Sequence, residues 1–245
     1  MDMLTNFILL FLFSGVPYYL YMEKREDFSY EKTFLASALL VLIGMAILIL
    51  TQAEISTIVI IVLLLTALFS LYKATKTTNL YKLSYYIMFF NIPVLLFGIK
   101  ESIYYGISLL VSLFGLYLIA KYYEKNYGSA NYQPITGITL VTPFAGFFLT
   151  VYLTTLALYP PFPNSILFFN AILSSTPNLL WYLIVGIIFF GNFLIAVKVM
   201  AKTVFGKPNT NVHYIDLTLR ERLSHYAIFI ILITLSILGF QELLS

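Results

Sequence analysis

The chain has 245 residues, of which 60% are hydrophobic and only 10% are charged, and its formal net charge is +3. A water-soluble domain carries about 25% charged residues, so this composition excludes an ordinary soluble enzyme and predicts that lipid is the main solvent of the chain. The lack of cysteine excludes disulfides, thiolate metal sites and cysteine nucleophiles, and we expect no nucleic-acid partner.

Apolar segments follow one another along the chain, and most are close to the ~20 residues that a helix needs to cross a bilayer. Because the first segment has Asp2 but no basic residue before it, we expect a retained helix rather than a cleaved signal. The predicted fold is an all-α polytopic membrane protein with about eight transmembrane helices, forming one domain over 1–245 with a three-helix part (1–72) and a second part (79–245). The predicted spans are Leu4–Met22, Thr33–Leu50, Ile55–Tyr72, Leu83–Ile99, Ser102–Tyr122, Thr136–Leu158, Ser165–Met200 and Ser224–Leu244.

Two of these boundaries need a break within an apolar run. Only residues 51–54, which include Glu54, separate the second span from the third, so a tight turn is predicted there. The seventh span, Ser165–Met200, is too long for one straight helix. The stretch Ser174–Asn178, which contains Pro177, cuts it into a short and a full-length piece. We therefore predict one broken helix over Ser165–Met200.

The basic residues are distributed in a way that predicts the topology. With eight crossings, thirteen of the fourteen Lys and Arg residues fall on one side, and Lys100 alone falls opposite. The positive-inside rule places that basic side in the cytoplasm. Both termini and the Tyr159–Asn164 loop are then predicted to face outward. The expected location is the plasma membrane of a prokaryote.

Residues that could carry ions through the membrane are few. Ionisable groups at depth are costly and usually mark a pathway, and the candidates are Glu54, Lys100 and Glu101, all at predicted turns. His213 and His225 are interpreted as loop or interfacial residues. No His, Asp or Glu set has the spacing of metal ligands, so we expect no metal, no cofactor and no catalytic residue on this chain.

Tyrosine pairs and triplets recur near the ends of the predicted spans. Such clusters are typical of the aromatic belts at the two membrane surfaces, and a quinone or lipid groove is the alternative interpretation. The clusters are Tyr18-Tyr19-Tyr21, Tyr81-Tyr85-Tyr86, Tyr104-Tyr105 and Tyr122-Tyr123.

A series of motifs follows in order from Asn79 onward. The series is N-L-Y-K-L-S-Y-Y-I at Asn79–Ile87, G-I-T-L-V-T-P-F-A-G at Gly137–Gly146, the proline-rich Leu156–Phe169, K-V-M-A-K-T-V-F-G at Lys198–Gly206, and Leu219–Glu221. In its order and spacing this series resembles the C-terminal half of the antiporter-like membrane subunits of complex I, energy-converting hydrogenases and Mrp antiporters. The matching motif positions include Pro143, Pro160, Pro161, Phe168 and Pro177.

The resemblance also implies where this chain departs from the family. Phe168 stands at the position of the family's mid-membrane Lys or Glu, and the expected Lys and His of the preceding helix have no counterpart within Ser102–Ala120. Glu54, followed by Ile55 and Ser56, resembles the family's glutamate. The chain is several helices shorter than the family. It therefore resembles the scaffold without the proton relay.

Three functions are compatible with these observations. The first is an accessory or truncated antiporter-like subunit, partnered by other membrane subunits of a redox-linked ion-translocating complex. The second is an independent transporter of a small molecule or ion, with a polar cavity built from Asn91, Asn170, Asn192 and neighbouring Ser and Thr residues. The third is an intramembrane enzyme acting on a lipid or quinone, against which the lack of an acid–base pair or metal set argues.

Overall fold

The computed structural model describes residues 2–52, 54–96, 99–175 and 178–244. Within these ranges the chain is all-helical, with about 80% of its residues in helices and no strand. The α-helices are α1 Asp2–Ser14, α2 Val16–Lys24, α3 Tyr30–Thr51, α4 Thr57–Lys76, α5 Leu80–Asn91, α6 Ile99–Tyr127, α7 Ile138–Val141, α8 Pro143–Leu156, α9 Pro163–Ser174, α10 Leu179–Thr203 and α11 Leu219–Leu244. A 3₁₀ helix, Ile92–Leu96, continues α5.

The long apolar helices are those of an integral membrane protein. Among the described residues, five helices are long and apolar enough to cross a membrane, namely α3, α4, α6, α10 and α11. Helices α1 and α2 form a sixth candidate if the bent pair is one span. The stretch Leu80–Leu96 and α8 are apolar but shorter. The predicted all-α fold is confirmed, and its long apolar helices are compatible with an integral membrane protein, whereas a count of eight crossings stays a prediction.

The first predicted span, Leu4–Met22, is not one straight helix. The chain bends by 41° between α1 and α2, at Gly15, which has a φ of +67°. A Cβ atom at this position would also clash with the ring of Phe89. Glycine is therefore required both by the backbone conformation and by the close approach of α5.

Helices α5 and α6 form the centre of the bundle. Every residue of α5 except Lys82 is buried, and α6 packs against α3, α5, α8, α9 and α11. The chain leaves α-helical geometry after Asn91 because Pro93 has no N–H to continue the helical hydrogen bonds. The Asn91 side chain bonds the Ile87 carbonyl at 2.8 Å.

Contacts along α11 fix the direction of α8 and α9. The successive pairs are Arg222 with Phe144, His225 with Tyr152, Ser236 with Pro161 and Gly239 with Asn170. Both residue numbers rise together, so α8 and α9 run in the same direction as α11. Helices α8 and α9 therefore continue in one direction across a break at residues 157–162.

This arrangement corrects the predicted broken helix over Ser165–Met200. The chain is divided close to the predicted point, because α9 ends at Ser174 and α10 begins at Leu179, while Pro177 lies outside the described residues. However, α10 returns toward the end of α4, where Lys198 Nζ donates to the Thr75 carbonyl at 2.6 Å. Helices α9 and α10 thus run in opposite directions. The break that the sequence analysis placed between them belongs between α8 and α9.

The Tyr159–Asn164 loop is consequently part of a span rather than an outward loop. Prolines 160, 161 and 163 have no N–H, so the break leaves few donors to satisfy inside the membrane. The N–H groups of residues 157, 158, 159 and 162 all donate to nearby carbonyls. The Pro161 carbonyl accepts a hydrogen bond from the Ser236 hydroxyl at 3.0 Å. The chain therefore satisfies this break largely by itself.

Candidate functional site

A row of buried polar side chains runs along one face of α6. Four residues spaced three or four apart lie on this face, as helical geometry requires, and each is fully buried. They pack toward α9 and toward the end of α5, which in turn bonds the middle of α10. We call this contact the α6 seam, consisting of Ser102, Tyr105, Ser108 and Ser112 of α6, Asn91, Asn164, Phe168 and Asn192.

An asparagine pair ties three helices together within the seam. The Asn91 amide donates to Asn192 Oδ1 at 3.0 Å, and the Asn192 amide donates back to Asn91 Oδ1 at 2.7 Å. The Tyr105 hydroxyl also donates to Asn91 Oδ1, at 2.6 Å. Both asparagines are buried. This part of the seam is fully hydrogen-bonded, as a buried polar network must be to be stable.

The part of the seam around Asn164 is incompletely bonded. Ser108 donates to Asn164 Oδ1, and Ser112 reaches the same oxygen at 3.4 Å. In the part of the chain that the structure describes, Asn164 Nδ2 and the hydroxyls of Ser165 and Ser102 have no hydrogen-bond partner. Buried polar groups in native proteins are normally satisfied by protein or by ordered water, so these atoms call for a ligand.

Phe168 occupies the middle of the seam. Its side chain is 1% exposed, and its ring centroid lies 5.7 Å from that of Tyr105. Asn164 precedes it by one helical turn on the same face of α9. The residue that the resemblance aligns with an ionisable group is thus buried among amides and hydroxyls. The seam residues named above include no Asp, Glu, Lys, Arg or His.

A groove adjoins each end of the seam. At the Ser102 end, a groove of about 350 Å³ is lined by Tyr104, Leu167, Gly239 and Glu242 among others. At the Ser112 end, a groove of about 190 Å³ is lined by Lys121, Lys125, Glu221, Ser224 and His225 among others. These two grooves face opposite ends of the bundle because α6 runs from one to the other.

His225 is a buried residue that lines the second groove. Its Nδ1 lies 2.8 Å from the Tyr152 hydroxyl, and its ring stacks on Phe148 with centroids 4.9 Å apart. His225 is 2% exposed and lies in the second turn of α11 rather than in a loop, whereas His213 is exposed in the loop before α11. Gly115 makes room for the Tyr152 ring, since a Cβ there would clash with it.

Tyrosines bind glutamates at the end of the bundle that carries the basic loops. Tyr85 donates to Glu23 Oε1 at 2.7 Å, Tyr86 donates to the same oxygen, and Lys73 Nζ lies 3.7 Å from Glu23 Oε2. The other pairs are Tyr117 with Glu31 at 2.7 Å and Tyr81 with Glu124 at 2.9 Å. Sequence reasoning missed these pairs because the partners are far apart along the chain.

The tyrosine pairs correct the predicted aromatic belt. Tyr21 and Tyr104 are exposed, as belt residues are, but the tyrosines that bind Glu23 face the interior of the bundle. Their hydroxyls donate hydrogen bonds to carboxylates and do not face the membrane surface. A tyrosine has an apolar ring and a polar hydroxyl, so it suits both a membrane surface and a carboxylate partner. Sequence position alone therefore does not separate these two roles.

The three predicted ion-path residues lie at a turn or at the start of a helix. Glu54 is exposed between α3 and α4, and its backbone carbonyl accepts a hydrogen bond from Asn6 at 3.0 Å. Lys100 and Glu101 belong to the first turn of α6, and their side chains lie outside the described part of the structure. Among the motif prolines, Pro143 opens α8 and the pair Pro160–Pro161 lies in the break.

The described residues include no group of three or more His, Asp and Glu side chains placed to hold a metal ion. A scan against models of known protein families gives no match, and a search of the curated proteins gives no significant match. The geometry of the seam and the order of the motifs are therefore the observations from which a function has to be argued.

Proposed function

We propose that the chain is an accessory membrane subunit of a multi-subunit, redox-linked ion-translocating complex, similar to the antiporter-like subunits of complex I and membrane hydrogenases. The observation that carries the proposal is Phe168. It lies at the motif position of an ionisable residue, in the second half of a broken span, and it packs into a polar seam on the central helix α6. A family scaffold that has lost its relay residue accounts for all three features.

The subunit contributes packing and lateral contacts rather than a complete proton path. A charge at the centre of a membrane helix costs about 2.5–3.5 kcal/mol on insertion scales and persists where a path uses it. The seam holds amides, hydroxyls and one phenylalanine ring instead. Protons therefore do not cross along the axis of this chain in the usual manner of the family.

Eight crossings with both termini outside are part of the same proposal. The ends of α2, α4, α6 and α10 lie together with the starts of α3 and α11. The contacts that join them are Glu23–Lys73, Glu31–Lys121, Glu221–Lys125 and the Lys198 hydrogen bond to α4. At the opposite end, Asn6 of α1 bonds Glu54 and Ser56 in the turn between α3 and α4. Alternating crossings produce this pairing, and the basic end then faces the cytoplasm of a prokaryotic cell.

A second candidate is an independent transporter of a small neutral molecule. The unsatisfied atoms of Ser102, Asn164 and Ser165 favour it, because a polar solute could satisfy them. This function requires no partner subunit. The two candidates therefore differ in whether the chain works alone.

Extraction of tagged full-length chain from native membranes in a mild detergent, followed by native mass spectrometry, separates the candidates. We expect the chain to co-purify in fixed stoichiometry with other polytopic membrane proteins and with a redox subunit. A tagged single-span membrane protein from the same cells is the control for non-specific capture. Recovery of a monodisperse chain without partners would reject the accessory-subunit proposal and favour the transporter.

A further inference from the structure

The unsatisfied polar atoms of the seam are arranged in a definite order. Helices α6 and α9 are antiparallel here, because Ser108 bonds Asn164 while Tyr105, earlier in α6, contacts Phe168, later in α9. Ser102 lies a further turn beyond Tyr105, about 4.5 Å along the axis. Asn164 and Ser102 are thus on opposite sides of the Phe168 ring.

The Ser102 side adjoins the outer groove. Tyr104 and Gly239 line that groove, and Asn170 donates its amide to the Gly239 carbonyl at 3.0 Å. Asn170 is 7% exposed, and its Oδ1 has no partner among the described residues. Ser102, two residues before Tyr104 in α6, and Asn170, which bonds Gly239, are therefore buried next to residues that line the groove, and each has a polar atom without a partner in the described structure.

The Asn164 side is enclosed. Ser108 and Ser112 approach Asn164 Oδ1, whereas Asn164 Nδ2 and the neighbouring Ser165 hydroxyl have no partner in the described ranges. A buried water needs two to four polar partners, and this group offers them. An isolated buried hydroxyl does not offer a water molecule that many partners.

We infer that Phe168 is an apolar plug between two water-binding compartments of the α6 seam, an outer one at Ser102 and Asn170 and an inner one at Asn164 and Ser165. The ligand of both compartments is water. The plug is a ring packed on the Tyr105 ring, and narrow apolar constrictions block water by remaining dry. Removal of the ring joins the compartments and makes the inner one accessible from the outer groove.

The accessibility of a thiol at Ser108 tests the plug. The chain has no cysteine, so Ser108→Cys introduces a single, nearly isosteric reporter on the inner side. Cells carrying the full chain are exposed to Ag⁺, an ion of near-water size, and the unreacted thiol is alkylated after denaturation and measured by mass spectrometry. We expect Phe168→Ala to raise the Ag⁺ reaction rate of Ser108→Cys by about tenfold or more, because the apolar barrier is gone.

The matched control is Phe169→Ala in the same reporter background. Phe169 is the next residue on α9 but is 43% exposed on the outside of the bundle, so its removal leaves the seam intact. The inference is overturned if Ser108→Cys reacts equally fast with Phe168 present, or if Phe168→Ala reacts no faster than Phe169→Ala.

A stability comparison tests the hydration without altering Phe168. If water satisfies the Ser165 and Ser102 hydroxyls, Ser165→Ala and Ser102→Ala leave the thermal unfolding midpoint unchanged or lower it, because bonds to water are lost. Ser37→Ala is the control, since Ser37 is a buried helical hydroxyl outside the seam that also has no partner in the described structure. We expect Ser37→Ala to raise the midpoint.

If Ser165→Ala and Ser102→Ala raise the midpoint as Ser37→Ala does, the compartments are dry and the inference fails. Neither experiment depends on the identity of the partner subunits. Failure of the co-purification described above would leave both results interpretable.

Discussion

Sequence reasoning singles out Phe168 but assigns no role to Glu23. Phe168, which the motif series singles out, is buried in α9. Glu23 received no role from the sequence, although its side chain is only 10% exposed. Its tyrosine partners are about sixty positions away in the chain. A single sequence carries local patterns, but not such pairings.

Substitutions at Phe168 test whether the seam is a scaffold. Phe168→Leu retains an apolar side chain that fills most of the same space, and we expect ion pumping by the parent complex to be almost unchanged. Phe168→Lys places a charge in the membrane interior at a cost of about 2.5–3.5 kcal/mol, so we expect less assembled complex. Pumping is measured in membrane vesicles, and assembly by native gel electrophoresis.

Glu54→Gln is the control for this prediction. Glu54 is exposed in the α3–α4 turn, so removal of its charge is expected to leave both pumping and assembly intact. Loss of pumping in a fully assembled Glu54→Gln complex would mean that a proton path runs through this chain, contrary to the scaffold proposal.

Glu23 is expected to be the carboxylate on which stability depends most. Glu23→Ala leaves the hydroxyls of Tyr85 and Tyr86 without their acceptor and leaves Lys73 without its ion-pair partner. A buried hydrogen-bonding group left unsatisfied costs about 1–3 kcal/mol. We expect a clear fall in the thermal unfolding midpoint in detergent. Glu26→Ala, which removes an exposed carboxylate three residues away, should leave the midpoint within experimental error.

At the scale of the helices, hydropathy shows where a helix is interrupted but not the direction in which the next helix runs. The turn at Glu54 and the interruptions at Pro93 and Pro143 all coincide with helix ends or with a change of helix type. The sequence predicts an outward loop at Tyr159–Asn164, because two apolar runs around a break look alike whether the chain turns back or continues. Packing against α11 decides between these outcomes, and that packing involves residues far away in the sequence.

A pair of glycines tests the packing of α8 against α6. A Cβ atom at Gly115 would clash with the Tyr152 ring, which is held by His225 and Phe148. Overpacking of this kind typically costs about 1–3 kcal/mol, so we expect Gly115→Ala to lower the free energy of unfolding. Gly186→Ala in α10 meets no atom within 4 Å and should raise it by about 0.5–1 kcal/mol through helix propensity. Equal effects of the two substitutions would contradict the described α6–α8 contact.

For the whole molecule, α5 and α6 form a central pair around which the other helices pack. The composition predicted the membrane class, and the charge pattern predicted that the basic loops share one end. The salt bridges of Lys73, Lys121 and Lys125 do lie together at one end of the bundle. The sequence indicates Asn91 and Asn192 for a polar cavity, and these two residues do bond each other in the seam. It does not single out Asn164 or the serines of α6, because Asn and Ser residues are too common in helices to reveal which of them face each other.

Single cysteines in the natural background test the topology. We expect Lys76→Cys and Lys202→Cys to react with a membrane-impermeant maleimide from the cytoplasmic side only, and Ser175→Cys, in the α9–α10 turn, from the outside only. Asn164→Cys should be protected from both sides because Asn164 is fully buried. Labelling is measured in intact cells and in inverted vesicles. Outside labelling of Asn164→Cys together with protection of Ser175→Cys would restore the proline-rich stretch as an outer loop.

The N–H groups of the break between α8 and α9 are satisfied within the chain, and this has a consequence for membrane insertion. A newly made segment leaves the translocation channel for lipid only if its backbone polar groups are satisfied. Residues 157–162 carry no charge and few free N–H groups, so α8 and α9 are able to partition into lipid as one segment without waiting for a partner protein. The chain then has to reverse only after Ser174, and the orientation of α10 and α11 is set by the basic residues of the connection between them, from residue 202 to residue 222.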